Sequence, residues 1–327
     1  MTALLISCLS IFSFSLDSIP MEDTVVSFEN NVECVALNEG AKSCILPIGN
    51  NSENNWLLYQ PEIAFWVNDI QLSADSFLVV DQGSRAVVDI VHKDVVKDIE
   101  LGGNLKCLGQ LYKGICFDNP DSHIKFVRGR RSFFDYGQIG PHLIEGMRIF
   151  ESLGVNPIYA QLLLLIESPN NPNAISSAGA RGHFQLMPSV ARKYGLKVNR
   201  YKDERINFDR SAMAAAKLFK YYCIPSAKRT CEALDLEIDE ESLWFQLLAL
   251  HVYNAGGGNV KKAALTHKGV RDGNGLITLL WHTKVGAFGN SSQNYSQLCL
   301  ASYLAYKDFL KTNSATFVVL NAENDLQ

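Results

Sequence analysis

The chain has 327 residues, 47% hydrophobic and 20% charged, which is enough apolar material for a buried core and excludes wholesale disorder. Its 30 Lys and Arg stand against 34 Asp and Glu, a formal net charge of -4, so the basic excess of a nucleic-acid-binding protein is absent and no nucleic-acid partner is expected. No apolar run approaches the roughly 20 residues of a membrane-spanning helix.

Residues 3–16 read ALLISCLSIFSFSL. This apolar stretch has the length of a signal-peptide core, so residues 1–18 are read as a signal segment and the protein as exported, to a bacterial periplasm or cell envelope. Leu5-Ile6-Ser7-Cys8 looks like a lipoprotein cleavage box, which leaves lipidation at Cys8 open. Seven cysteines follow, and six of them form close pairs: Cys34 with Cys44, Cys107 with Cys116, and Cys223 with Cys231. None has the C-x2-C spacing of a zinc site, and neither a metal nor a cofactor is implied. With an export signal, close pairs favour local disulfides, and Cys223–Cys231 is expected among them.

Residues 22–118 are rich in short β-branched and aromatic runs, at 24–28, 63–67, 77–80 and 86–91, separated by Asn, Gly, Asp and Ser clusters. They read as a small β-rich domain without a catalytic motif. The turn-prone sequence at 118–122, DNPDS, marks a boundary. From about residue 124 helices are predicted, over 142–153, 157–167, 208–222, 240–253 and 294–310. Residues 240–253 are apolar nearly all round, the mark of a helix buried on most faces. The fold class is α+β overall, an all-α domain over 124–312 after the β-rich domain, with a tail at 313–327.

The chemistry gathers at Glu167, which ends the run LLLLI at 162–166. Burial raises a carboxyl pKa, and a carboxylic acid that keeps its proton near neutrality can give it to a leaving oxygen. After it come Ser168, Ser176, the segment GARGHFQLMP at 179–188, and VYNAG at 252–256. These three motifs, in this order, resemble the E-S, G-L-M-Q-x-M-P and A-Y-N-A-G motifs of the soluble lytic transglycosylase superfamily. FVRGRR at 126–131, YGLKV at 194–198, DER at 203–205 and Asn294-Tyr295 resemble the membrane-bound lytic transglycosylase D branch.

The resemblance covers residues 124–310 and implies a goose-lysozyme-like domain acting on peptidoglycan glycan strands. It implies cleavage of the β-1,4 bond between N-acetylmuramic acid and N-acetylglucosamine, with Glu167 as acid and then base and a 1,6-anhydro end as product. By the same likeness Ser176, Gln185, Met187, Tyr253, Asn254 and Tyr295 would contact the sugar or line its cleft. Ser291-Ser292 stand where the family has Glu-Thr, and residues 224–239 look like an insertion. The branch usually ends in glycan-binding LysM repeats, which 315–327 is too short to form; a protein or wall partner is expected through the β-rich domain instead. Two other functions remain open: a lysozyme-type hydrolase of the same fold, and a non-catalytic glycan-binding or assembly module.

Overall fold

The computed structural model describes residues 32–37, 42–48, 52–81, 87–96, 124–167, 171 and 173–320. The expected signal segment with Cys8, the run at 24–28, the Cys107–Cys116 pair, the boundary at 118–122 and Ser168 lie outside the described residues.

Two small antiparallel sheets flank a helical body. In the first, β1 (Val32–Leu37) lies between β2 (Lys42–Ile45) and β6 (Ser314–Leu320), so the N-terminal part of the described chain pairs with its C-terminal strand. Cys34 stands directly opposite Cys44 in this ladder, and the two are disulfide-bonded. In the second, β3 (Ser76–Asp81) lies between β4 (Val87–His92) and β5 (Ile124–Arg128). β3 brings Leu78 and Val80 into a small cluster with Phe65.

Residues 63–67, expected as a strand, belong to helix α1 (Pro61–Gln71). The reason is legible in the spacing: Ile63, Trp66, Val67 and Ile70 repeat at one helical face, and Pro61 and Glu62 suit a first turn. The helical region also begins later than expected, because 124–128 is the edge strand β5. Residues 313–327 are not simply a tail, since 314–320 form β6.

The body comprises α2 (Gly140–Ser152), α3 (Ile158–Ile166), α4 (Pro188–Lys193), α5 (Phe208–Leu218), α6 (Ile224–Glu232), α7 (Leu243–Ala255), α8 (Gly257–Ala264), α9 (Gly273–His282) and α10 (Asn290–Asn313). Every residue of α3 is buried, as are ten of the 13 of α7, so these two helices form the centre. α2 closes on α3 at Gly146, where a Cβ would stand 2.7 Å from Leu164 Cδ1. A π-helical turn, Phe219–Cys223, joins α5 to α6 and sets Phe219 between Tyr159 and Tyr253.

The packing does not divide at 118–122. Ile45, Leu46, Ile48, Leu57, Ile63 and Ile70 share one continuous core with α2, α3, α7 and α10. Gln161 on α3 accepts from the Leu46 N–H at 2.7 Å and donates to its carbonyl at 3.0 Å, sealing both polar groups of that buried backbone. Trp66 Nε1 donates to Gln297 on α10 at 2.8 Å. The expected separate β-rich domain is therefore, in residues 42–71, a layer of the helical body.

Candidate active site

α3 ends on Glu167, whose N–H still bonds to Leu163 O at 2.9 Å. The apolar run 162–166 anchors the helix and leaves the carboxyl at its end, half-buried. Tyr295, buried on α10, donates its hydroxyl to Glu167 Oε1 at 2.5 Å. Burial pushes the Glu167 carboxyl up to about 7, against the opposing pull of the Tyr295 hydrogen bond. Tyr253 and Cys299 both lie close enough to feel its charge. The site thus offers a carboxylic acid poised near neutrality, with a phenol to hold the anion left when the proton goes.

A loop over 173–187 lies beside this centre. Buried Arg205 holds it, donating from Nη1 to Gly179 O at 2.7 Å and Leu186 O at 2.9 Å. Its Nε and Nη2 bond to the two oxygens of Asp203 at 2.9 and 2.7 Å, and Arg181 adds a contact to Asp203 at 3.2 Å. The Arg205 hydrogen bonds hold the Asp203 carboxyl down to about 2. Gly182 is needed here: its φ is +80°, and a Cβ would stand 2.1 Å from Arg205 O. Tyr253 fixes the far side, donating its hydroxyl to Phe184 O at 2.5 Å, while Phe184 is fully buried.

The residues singled out from sequence occupy different places in this frame. Gln185 sits in the left-handed region at φ +42°, and its Nε2 bonds to Gly182 O at 2.8 Å and Ala174 O at 3.2 Å. Ser176 Oγ accepts from the Ala180 N–H at 3.0 Å within the loop. Met187 is 38% exposed, not core. Asn254 is exposed on the last turn of α7, one residue beyond Tyr253. Among the described residues, only the Tyr295 side chain bonds to the Glu167 carboxyl. Sequence reasoning did not assign a role to Asp203 and Arg205; their signal was a resemblance in the triplet DER, and it is the loop contact that gives them one.

Cys223 and Cys231 are buried free thiols, contrary to the expected disulfide. Of the segment 224–239 read as an insertion, residues 224–232 form helix α6, continuous with the π turn. Eight residues along a helix rise about 12 Å, beyond the roughly 7 Å that a disulfide spans between Cα atoms.

Residues 151–273 match the family described as Transglycosylase SLT domain. Over those residues the helical part of this chain is similar to SLT domains. It is 35% identical over 112 residues to "Membrane-bound lytic murein transglycosylase D" of Escherichia coli strain K12, and equally to that of E. coli O6:H1. That alignment takes in 34% of this chain and 21% of each relative, so the chain spans about a fifth of the relatives' length. Among solved structures it aligns with an inactive mutant of lytic transglycosylase Slt from Pseudomonas aeruginosa, at 17% identity, over 59% of this chain and 28% of that one, with a TM-score of 0.36. The SLT domain match holds Glu167, Ser176, Gln185, Met187, Tyr253 and Asn254. Tyr295 and all of α10 lie beyond it, so the hydroxyl on Glu167 comes from outside the matched SLT segment.

Proposed function

We propose that this protein is a peptidoglycan lytic transglycosylase that cleaves the β-1,4 bond between N-acetylmuramic acid and N-acetylglucosamine. The observation that carries the reading is the Glu167 carboxyl, half-buried at the end of an apolar helix, raised to about 7 and bonded by Tyr295. Glu167 gives its proton to the glycosidic oxygen as the bond to the anomeric carbon breaks, releasing the N-acetylglucosamine hydroxyl. The substrate's own N-acetyl group stabilises the positive charge left on the muramoyl ring. The Glu167 carboxylate, held by the Tyr295 hydroxyl, then takes the proton of the muramoyl 6-hydroxyl as that oxygen closes on the anomeric carbon. The acid is restored, no water is consumed, and the product is a 1,6-anhydro end. A pKa near the working pH suits a group that must both give and take a proton. One carboxyl serves both steps, and no other acidic residue among the described ones perturbs Glu167. Gln185, Met187 and Asn254 are the groups proposed to meet the sugar, with Ser176 shaping the loop beneath it.

The bonded Cys34–Cys44 pair supports export to an oxidising envelope compartment. A wall or protein partner held through residues 22–118 would use their outward face, where Ile90 on the edge strand β4 is 51% exposed, because residues 43–70 spend their inward face on the core.

The test is digestion of purified peptidoglycan with mass spectrometry of the product ends. Anhydro ends are expected. Reducing ends would make the protein a hydrolase, and no release would leave it a glycan-binding module.

A further inference from the structure

His251 is fully buried on α7, two residues before Tyr253, and the proposed chemistry does not use it. Its Nε2 lies 2.8 Å from Ser296 Oγ on α10. The same oxygen receives the Trp281 indole N–H from α9, also at 2.8 Å. An indole nitrogen only donates, so Ser296 accepts from Trp281, and the same Oγ shares a second hydrogen bond with His251 Nε2. Burial pushes the imidazole down to about 4, so the ring is neutral at ordinary pH and ties to α10 as an uncharged group. Ser296 and Trp281 are buried as well.

Three helices are thus tied at one oxygen, and that oxygen is adjacent in sequence to Tyr295. The tie fixes how α10 is rotated about its axis. A tyrosine hydroxyl stands about 8 Å from the axis of its helix, so a rotation of about 10° moves it more than 1 Å. That displacement is enough to break a hydrogen bond of 2.5 Å.

We propose that His251 is a positioning residue: through its hydrogen bond with Ser296 it sets the rotation of α10 that brings Tyr295 onto Glu167. The effect on rate rests on the function proposed above; the effect on the ionisation of Glu167 does not.

The experiment titrates Glu167 through its carboxyl carbon by NMR in the full chain, for the wild type, Ser296→Ala, Tyr295→Phe and the double variant, with lytic rate measured alongside. Tyr295 donation holds the carboxyl down, so Ser296→Ala is expected to move the Glu167 midpoint up, in the direction Tyr295→Phe moves it. In the Tyr295→Phe background Ser296→Ala should add nothing. Lytic rate should fall about tenfold, a modest part of what a misplacement of about 1 Å can cost. Ser296→Thr, which keeps the hydroxyl, should restore both midpoint and rate. His251→Leu gives a second route to the same shift if Ser296→Ala does not fold. An unmoved midpoint, or a shift of equal size in the Tyr295→Phe background, would show that His251 and Ser296 only pack the core. Absence of lysis by the wild type would overturn the proposed function and leave the titration to decide this point alone.

Discussion

Glu167 keeps its proton because leaving water costs the carboxylate more than the single Tyr295 hydrogen bond returns. Replacing it with Gln keeps the size and the acceptor but removes the proton, and lytic rate is expected to fall roughly 10²–10⁴-fold, as general acid–base groups are worth. The same substitution has a stability signature. The folded-state pKa, about 7, lies above the ordinary value of 4.5. The wild-type contribution from this group is therefore full below pH 4.5 and is lost as pH rises through 7. Glu167→Gln cannot ionise, so it is expected to be more stable than wild type at pH 8, by about 3 kcal/mol, and nearly equal at pH 4. Denaturant melts at the two pH values check this; equal differences at both would mean the carboxyl ionises freely in the fold. The lytic pH profile is expected to decline above about 7, and Tyr295→Phe to move that decline upward, since the lost hydrogen bond had favoured the anion. Glu167 was singled out in the sequence by a carboxyl closing an apolar run together with the ordered motifs that follow it, at 179–188 and 252–256. Its partnership with Tyr295 was not: 128 residues separate them, and only the packing of α10 on α3 brings them together.

The loop over 173–187 has little regular structure of its own, with only isolated bridges at Ile175–Arg181 and Arg181–Leu186. Its order comes from Arg205, whose guanidinium is spent on two loop carbonyls and on Asp203. Arg205→Met would remove the main donor to the Asp203 carboxylate, leaving it Arg181, and one donor from each of the two carbonyls, a change worth roughly 1–3 kcal/mol. We expect faster amide exchange confined mainly to 174–187 and a lytic rate well below wild type; unchanged exchange there would show that the loop holds itself. The thiols belong to the same scale. With Cys223 and Cys231 about two helical turns apart, denatured and unreduced protein is expected to expose Cys223, Cys231 and Cys299 to a thiol reagent, while Cys34 and Cys44 stay blocked. A blocked Cys223 would contradict the helical course of 219–232. The helix expected over 240–253 is observed over 243–255: a run apolar on nearly every face marked a buried helix, while its start lies three residues later, at the Ser242 cap. Residues 61–71 misled because Ile, Phe, Trp and Val favour strands, while the spacing of Ile63, Trp66, Val67 and Ile70, which decides the matter, is helical.

At the scale of the whole molecule, composition suggested a seam at 118–122 and the packing ignores it. Hydrophobic runs announce burial but not against what, so a β-rich stretch followed by helices reads equally as two domains or as one core. Six aliphatic side chains between Ile45 and Ile70 lie in the core with the helices. At about 1.5–3 kcal/mol for each buried side chain, their removal forfeits on the order of 10 kcal/mol. That equals the whole net stability of a typical domain, about 5–15 kcal/mol. Polar groups would be stranded too: Gln161 would lose Leu46, fully buried beside the helix that carries Glu167, and Gln297 would lose Trp66. β5 would lose β3, its partner in the sheet. A fragment covering 122–327 is therefore expected to lack a cooperative thermal transition, to be cut rapidly by proteases, and to show no lytic activity even on soluble glycan fragments. One beginning near residue 32, with the Cys34–Cys44 hairpin and α1 retained, should melt like the full chain. If the 122–327 fragment melts cooperatively and digests glycan at the full-length rate, the layer formed by residues 42–71 is dispensable, and the helical body supports its active site alone.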